Sequence, residues 1–233
     1  LIQQLRNRLD GRAVKHILEL GCGTGRLTRS LINNFPKARI VALDISDAMV
    51  MQAAHNLKSD RLQLFVADAE DVVAEGDGIY DVIISNAVVQ WFEDPETTLT
   101  TCRQRLKPGG CLAFSTFGPE TFRELRQAFD TAYRKLGREQ IEHILALHSM
   151  GDFERWLPGI EVSQEMRIKT YDSVRALLHT IQRAGAAYGA NADQRALPRD
   201  VYREMTRSYE EGHSVDAGIS ATYHIIYGFA QPR

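Results

Sequence analysis

Short apolar runs that end in a glycine turn or an acid alternate along this chain with stretches whose apolar residues recur every three or four positions. The first run is Ile17-Leu18-Glu19-Leu20; it closes on Gly21-Cys22-Gly23-Thr24-Gly25, and Arg26 to Ile32 then takes helical spacing towards Phe35-Pro36. Arg39–Asp44, Leu62–Asp68, Tyr80–Asn86 and Cys111–Thr116 repeat the apolar run. Between them lie helical stretches at Asp47–Leu57 and Glu96–Leu106, the second stopped by Lys107-Pro108-Gly109-Gly110. Runs of this length bounded by turn residues predict buried strands, and the three-to-four spacing predicts amphipathic helices. Ile2, Leu5 and Leu9 predict one more helix over Leu1–Leu9, beside the sheet. Strand and helix in regular alternation predict a doubly wound, mostly parallel α/β sheet, which binds ligands at the carboxyl ends of its strands.

After Thr116 the rhythm breaks. Thr121–Leu136, Glu139–His148 and the shorter Asp152–Leu157 read as helices, and Val162–Tyr171 reads as a sixth strand. Ser173–Ala184 and Pro198–Glu210 read as helices divided by a loop around Tyr188–Leu197; Ile219–Ala230 reads as a seventh strand, running backwards. The expectation is one domain over residues 1–233, with helical cap insertions at about 119–150 and 173–211 after strands five and six. Insertions at that edge would form a lid over the ligand end.

At 233 residues, 44% hydrophobic and 25% charged, the chain has the length and composition for one sizeable core. A formal net charge of −2 gives no global attraction to nucleic acid or to an acidic membrane, and no apolar run approaches a membrane span. No signal peptide is visible, and the opening on Leu1 rather than Met leads us to expect a preceding segment of the natural protein. Cys22, Cys102 and Cys111 are odd in number, far apart and without metal-ligand spacing, which points to a reduced, cytoplasmic compartment. His143 and His148 are five apart, off a common helical face, and no His-Glu-x-x-His occurs, so no metal site is expected.

The glycine spacing narrows the chemistry. A dinucleotide fingerprint, Gly-x-Gly-x-x-Gly, would place its third glycine at position 26, where Arg26 stands; here the pattern is Gly21-x-Gly23-x-Gly25, preceded by Glu19. Asp44, at the tip of the second strand, has the spacing of an acid that grips a ribose diol, since one carboxylate accepts from two adjacent hydroxyls. Asp68 at the tip of the third strand is placed to accept from an adenine amine, with the Ala69 N–H donating to a ring nitrogen. Each acid alone is equally well a turn or cap residue; with Glu19 and the glycine turn they outline one nucleoside-shaped crevice. Asn86, Gln90 and Trp91 follow the fourth strand and border that crevice, although Asn86 also suits a turn and Trp91 a hydrophobic cap. Arg199, Arg203 and Arg207 recur every fourth residue, with Arg195 just before them, and share one helix face. The plainer reading is a solvated face paired locally with Asp200, Glu204 and Glu210.

Glu19-x-Gly21-x-Gly23-x-Gly25 resembles the first motif of class I S-adenosylmethionine-dependent methyltransferases. Five blocks together narrow the resemblance: Leu18–Gly25, Ala42–Ser46, Ser85–Trp91, Phe114–Pro119 and Thr222–His224. They look like the malonyl-[acyl-carrier protein] O-methyltransferase family of biotin synthesis. The resemblance implies a Rossmann-like seven-stranded sheet and S-adenosylmethionine as methyl donor, with S-adenosylhomocysteine as product. It implies a cofactor site of Glu19, Gly21, Cys22, Gly23, Gly25, Asp44, Ile45, Asp68, Ala69 and Asn86. It implies methyl transfer to the free carboxylate of a malonyl thioester, carried by acyl-carrier protein or coenzyme A. Gln90, Trp91, Phe117, Tyr223 and His224 are then the candidates around the substrate; Tyr223 and His224 alternate faces, so one of them points to it. A carrier protein is acidic, and the stripe Arg199, Arg203 and Arg207, with Arg123 and Arg126, would dock it. A carboxylate with a pKa near 4 is already ionised at neutral pH, so no general base is expected and no catalytic residue is assigned. Family members carry an N-terminal segment over the cofactor, and little precedes the first strand here. Two alternatives stand beside this reading: a methyltransferase of another small carboxylic acid such as aconitate, and a non-catalytic nucleotide- or NAD-binding module, against which Arg26 counts.

Overall fold

The computed structural model of the chain describes residues 1–183 and 197–232. Arg195, Ala184 and all of the Tyr188–Leu197 loop except Leu197 lie outside the described residues. The elements run α1 (Ile2–Leu9), β1 (His16–Leu20), α2 (Arg26–Asn34), β2 (Arg39–Asp44), α3 (Asp47–Asn56), β3 (Leu62–Val66) and α4 (Ala69–Glu75). They continue with β4 (Tyr80–Asn86), a 3-10 turn (Val89–Trp91), α5 (Pro95–Gln104), β5 (Leu106–Phe117), α6 (Arg123–Lys135) and α7 (Met150–Trp156). The last are β6 (Glu161–Tyr171), α8 (Val174–Arg183), α9 (Arg199–His213), β7 (Ser214–Val215) and β8 (Gly218–Ala230). The sheet order is β3-β2-β1-β4-β5-β8-β6, with the two-residue β7 pairing antiparallel to β8. β1 pairs in parallel with β2 and β4, β2 with β3, and β4 with β5. This is the mostly parallel α/β sheet expected from the sequence.

Two compact units divide the chain: residues 1–116, 149–164 and 226–233 form the first, and residues 117–148 and 165–225 the second. The stretches expected as cap insertions, 119–150 and 173–211, fall almost wholly within the second.

In the first unit both sheet faces are covered, which is why its strands are apolar without strict alternation. Ile17, Ile40, Ala42, Val82 and Ile84 bury one face with Leu5, Leu9, Leu31 and Phe35 of α1, α2 and the turn after α2. Leu18, Leu20, Leu43, Ile83 and Phe114 bury the other with Val73, Leu99, Cys102 and Phe153 of α4, α5 and α7. The second unit has its own core, in which α6 and α9 bring Leu125, Phe129, Tyr133, Val201, Met205 and Tyr209 together with Ile219 and Ala221 of β8. There the carboxylate of Glu124 is buried and satisfied by Thr222, accepting from its backbone N–H at 3.0 Å and from its hydroxyl.

Three expectations need correction. The helix expected over Glu139–His148 does not form. That segment is held side chain by side chain instead: the His143 ring stacks on Tyr133 at 5.6 Å and meets its hydroxyl at 2.6 Å, and Gln140 donates to Asp130. The third strand stops at Val66 rather than Asp68, because Asp68 caps the short helix α4, which the apolar pattern did not signal. β5 begins at Leu106, ahead of the Pro-Gly-Gly stop, since Tyr80 pairs with Leu106 before the register shifts to Val82 with Cys111.

Candidate active site

The ends of β1, β2 and β4, with the turn joining β1 to α2, bring most of the sequence-predicted cofactor residues into one place, all within the first unit. The turn Gly21–Gly25 is fastened at each side: the Cys22 N–H donates to Leu43 at 2.8 Å, and the Gly25 N–H to Cys22 at 3.0 Å. Asn56 at the end of α3 donates to the Thr24 carbonyl at 3.0 Å. Gly21 and Gly23 have φ values of +73° and +52°, a region that penalises side chains. Their surroundings differ. A Cβ at Gly21 would lie 2.2 Å from Val88, whereas one at Gly23 meets nothing within 4 Å. Gly25 starts α2, and a Cβ there would press on Leu57 at 2.7 Å.

Asp44 ties the turn to β2. One carboxylate oxygen accepts from the Gly23 N–H at 2.8 Å and the other from the Ser46 N–H at 3.0 Å. An ionised carboxylate has about four acceptor sites, so half of them stay open to a ligand. Ile45, next along, is 71% exposed, an unusual state for isoleucine at the rim of a sheet.

Glu19 is the anomaly of the region. It points to the α2 face of β1, is 0% exposed, and neither carboxylate oxygen has a hydrogen-bond partner. Desolvation pushes its carboxyl up to about 8; Thr28, which faces it from α2, pulls the other way without reaching hydrogen-bond geometry, and the Asp44 carboxylate adds a further upward push. Burial, with Glu19 and Asp44 adding to it, raises the Cys22 thiol to about 12, so it stays protonated and is no nucleophile. Among the described residues, Glu19, Asp44 and Asp68 form no ion pair.

The outer positions are more heavily engaged. Asp68 accepts from the Glu70 N–H at 2.8 Å as the cap of α4, and Ala69 is the buried first residue of that helix. Asn86 accepts from the Ser115 hydroxyl at 2.7 Å. Gln90 donates to the Ala87 carbonyl and accepts from Thr116, each at 2.8 Å, and the Trp91 ring is 42% exposed. Ala87 has φ +57°, a strained backbone at the end of β4 that no glycine announces in the sequence. Glu70 was missed for a similar reason. Its carboxylate accepts from the N–H groups of Glu93 and Asp94 and from Thr98, holding the segment after Trp91, and nothing but its place in a helix's first turn marks it.

Phe117, Tyr223 and His224 belong to the second unit. Tyr223 packs against Phe117 and Phe122 at 6.0 and 4.9 Å, and its hydroxyl meets that of Tyr171. His224 is buried; its ring nitrogen accepts from the Glu120 N–H at 3.3 Å, its backbone is braced by Thr121, and burial lowers its pKa. On α9, Arg207 is paired with Glu204 and Glu211, while Arg199 and Arg203 are exposed. Arg126 donates to the Pro119 carbonyl and lies 3.9 Å from Glu142; Arg123 lies 3.8 Å from Glu120.

The arrangement suits a nucleoside carrying positive charge: open space beside a glycine turn, a carboxylate with spare acceptors, and a buried acid with no cation to answer it. Comparison with known proteins agrees. A family model described as a methyltransferase domain matches residues 18–112. A malonyl-[acyl-carrier protein] O-methyltransferase of Halalkalibacterium halodurans is 38% identical over 222 residues, covering 92% of this chain and 81% of that protein. The protein of the same name from Brevibacillus brevis is 37% identical over 235 residues, covering 97% and 84%. Among solved structures, the N-methyltransferase NodS of Bradyrhizobium japonicum with S-adenosyl-L-homocysteine superposes with a TM-score of 0.53 at 16% identity, over 100% of this chain and 85% of that one.

Proposed function

The chain belongs to the malonyl-[acyl-carrier protein] O-methyltransferase family, and from that premise we propose that it methylates the free carboxylate of a malonyl thioester at the expense of S-adenosylmethionine. The reading is carried by likeness along nearly the whole chain, well beyond the generic methyltransferase stretch of residues 18–112. Malonyl-acyl-carrier protein is the substrate the family points to; malonyl-coenzyme A carries the same reacting group.

The cofactor supplies an electrophilic methyl group on a sulfonium. Gly21, Cys22, Gly23 and Gly25 would carry its amino-acid end, with Asn86 beside it. Asp44 would take the ribose diol, and Asp68, Ala69 and Ile45 the adenine. That assignment fits the crevice because the ligand is a cation and Glu19 is a buried acid without a counter-charge. It also demands little further chemistry from side chains. The acceptor carboxylate is ionised at neutral pH, so no base has to remove a proton. What remains is to hold oxygen, methyl and sulfur in line and to exclude water, where the annihilation of opposite charges is favoured. Gln90 and Trp91 are our candidates for that enclosure within the first unit; Phe117, Tyr223 and His224, all of the second unit, are substrate candidates on the resemblance alone. The exposed Arg199 and Arg203, with Arg207, would meet an acidic carrier. All three cysteines are free, in keeping with a cytoplasmic setting, and no helix of the described residues is long and apolar enough to cross a membrane.

The test is incubation with methyl-labelled S-adenosylmethionine and, separately, malonyl carrier protein, malonyl-coenzyme A and free aconitate. A base-labile labelled methyl ester on the malonyl thioester is the expected product. Label on aconitate alone would replace the substrate, and binding of NAD without methyl transfer would end the reading.

A further inference from the structure

The described residues hold five buried side-chain oxygens without a partner, and three of them meet at one spot: both of Glu19 and the hydroxyl of Thr28 opposite. A buried acid left this way costs several kcal/mol if charged, and proteins relieve that cost by neutralising the group or by supplying a counter-charge. The elements around Glu19 supply none. β2 offers Ala42 in register and Asp44 beyond it, β4 offers Ile84, and the turn offers the Cys22 thiol, while α2 offers the neutral hydroxyl and backbone N–H of Thr28, which pull the carboxyl down less than burial pushes it up. The only charge among them is negative. Among the described residues, no lysine, arginine or histidine acts on this carboxyl.

We propose that Glu19 carries a proton before ligand binds, and releases it to solvent when the positively charged cofactor settles on the turn between β1 and α2. The inference rests on the cofactor assignment above and adds a charge state to it. Burial is the main obstacle to ionising Glu19, and the Asp44 carboxylate adds to it. A cation arriving at the turn offsets that obstacle, the O–H bond of Glu19 breaks, and its proton passes to buffer. The crevice thereby matches its charge to its occupant, and a neutral or anionic nucleoside lacks the means to trigger the release.

Two consequences are measurable. Cofactor affinity should rise about tenfold per pH unit between roughly pH 6 and 7, then level off above about pH 8, where the proton is already gone. Calorimetry at pH 7 in phosphate and in Tris should report close to one proton released per cofactor bound. The ligand's own amino group titrates near neutrality, so the count is taken as wild type minus E19Q. That variant, isosteric and permanently uncharged, should bind more weakly, with the steep pH dependence removed. Infrared difference spectra of the ligand-free protein, wild type minus E19Q, should contain a protonated-carboxyl C=O band at pH 7. Absence of that band, or binding with no excess proton release over E19Q, overturns the inference and leaves the methyltransferase reading intact. Failure to bind either S-adenosylmethionine or S-adenosylhomocysteine at any pH overturns both.

Discussion

Two alanine substitutions in the same turn should fail in different ways, and the difference tests whether the turn faces a ligand. At Gly21 and Gly23 the backbone is left-handed, and a Cβ costs about 1–2 kcal/mol at each. Gly21→Ala meets a second cost. Its methyl would lie 2.2 Å from one Val88 methyl and 3.0 Å from the other, so the stiff isopropyl group has to shift as a whole. Overpacking of that kind adds about 1–3 kcal/mol, for a total of about 2–5 kcal/mol. Gly23→Ala adds nothing beyond the backbone cost, because among the described residues no atom beyond Gly23 and its two chain neighbours lies within 4 Å of its methyl. At about 2–4 °C per kcal/mol for a chain of this size, the melting temperature should fall about 4–20 °C for Gly21→Ala and about 2–8 °C for Gly23→Ala. S-adenosylhomocysteine binding, measured by calorimetry where each variant is folded, should reverse the ranking. With no described residue in the way, a methyl on Gly23 would meet a bound molecule, and an affinity loss beyond tenfold (about 1.4 kcal/mol) is expected there. Adding Val88→Ala to Gly21→Ala should recover the packing share of its loss and leave the backbone share. A Gly23→Ala protein that binds like wild type would refute the cradle.

Asp44→Asn takes the charged acceptor from both backbone N–H groups and turns an NH2 donor towards one of them; about 1–3 kcal/mol of stability should be lost, and S-adenosylhomocysteine binding should weaken tenfold or more where the variant is folded. Thr222→Val preserves shape but takes the hydroxyl donor from a buried Glu124 oxygen and leaves it only Arg123 at 3.7 Å; denaturant unfolding should report about 1–3 kcal/mol of lost stability, and an unchanged midpoint would refute this. Asp152 completes the capping box of α7 with Ser149, whose backbone N–H and hydroxyl hold its carboxyl down at about 2, with Arg155 adding a smaller pull. A depressed acid stabilises above its unfolded value, so wild type should exceed Asp152→Asn by under about 1 kcal/mol from neutral pH down to about 4. The gap should close as pH falls towards about 2, and a gap that persists there would contradict the assignment. Reversing charge at Arg199 and Arg203 should raise the apparent KM for malonyl carrier protein and spare malonyl-coenzyme A; equal loss on both would count against carrier docking.

The first half of the fold was readable because its signals are local. Apolar runs such as Arg39–Asp44 and Tyr80–Asn86 are strands to the residue, since both faces of the sheet demand apolar side chains. The misreadings came where a side chain chose a distant partner over its own backbone. Glu139–His148 has helical spacing, yet the segment is not helical, and His143 has a ring stack and a hydroxyl contact on α6. The strand at Leu62 was read two residues too long because Asp68 serves α4 as a cap, a role that sequence alone shares evenly with ligand binding. Ala87 and Phe122 take positive φ without being glycine, and pattern reading has no purchase on such residues.

In the candidate site, residue types were legible and charge states were not. Sequence places Glu19 before the glycines, but only burial reveals that the acid lies beneath the turn with nothing to neutralise it. That position bears on the choice between nucleotides independently of glycine spacing. A dinucleotide sets its pyrophosphate against the start of the first helix, and here that charge would approach the Asp44 carboxylate and could not drive the proton off the buried Glu19 beneath the turn. A sulfonium nucleoside brings the opposite sign to the same place. Arg26 at the third fingerprint position and an unanswered acid under the turn are separate features, one steric and one electrostatic, and both select against the dinucleotide. On the proposed charge state, the acid alone goes further and would favour a cation.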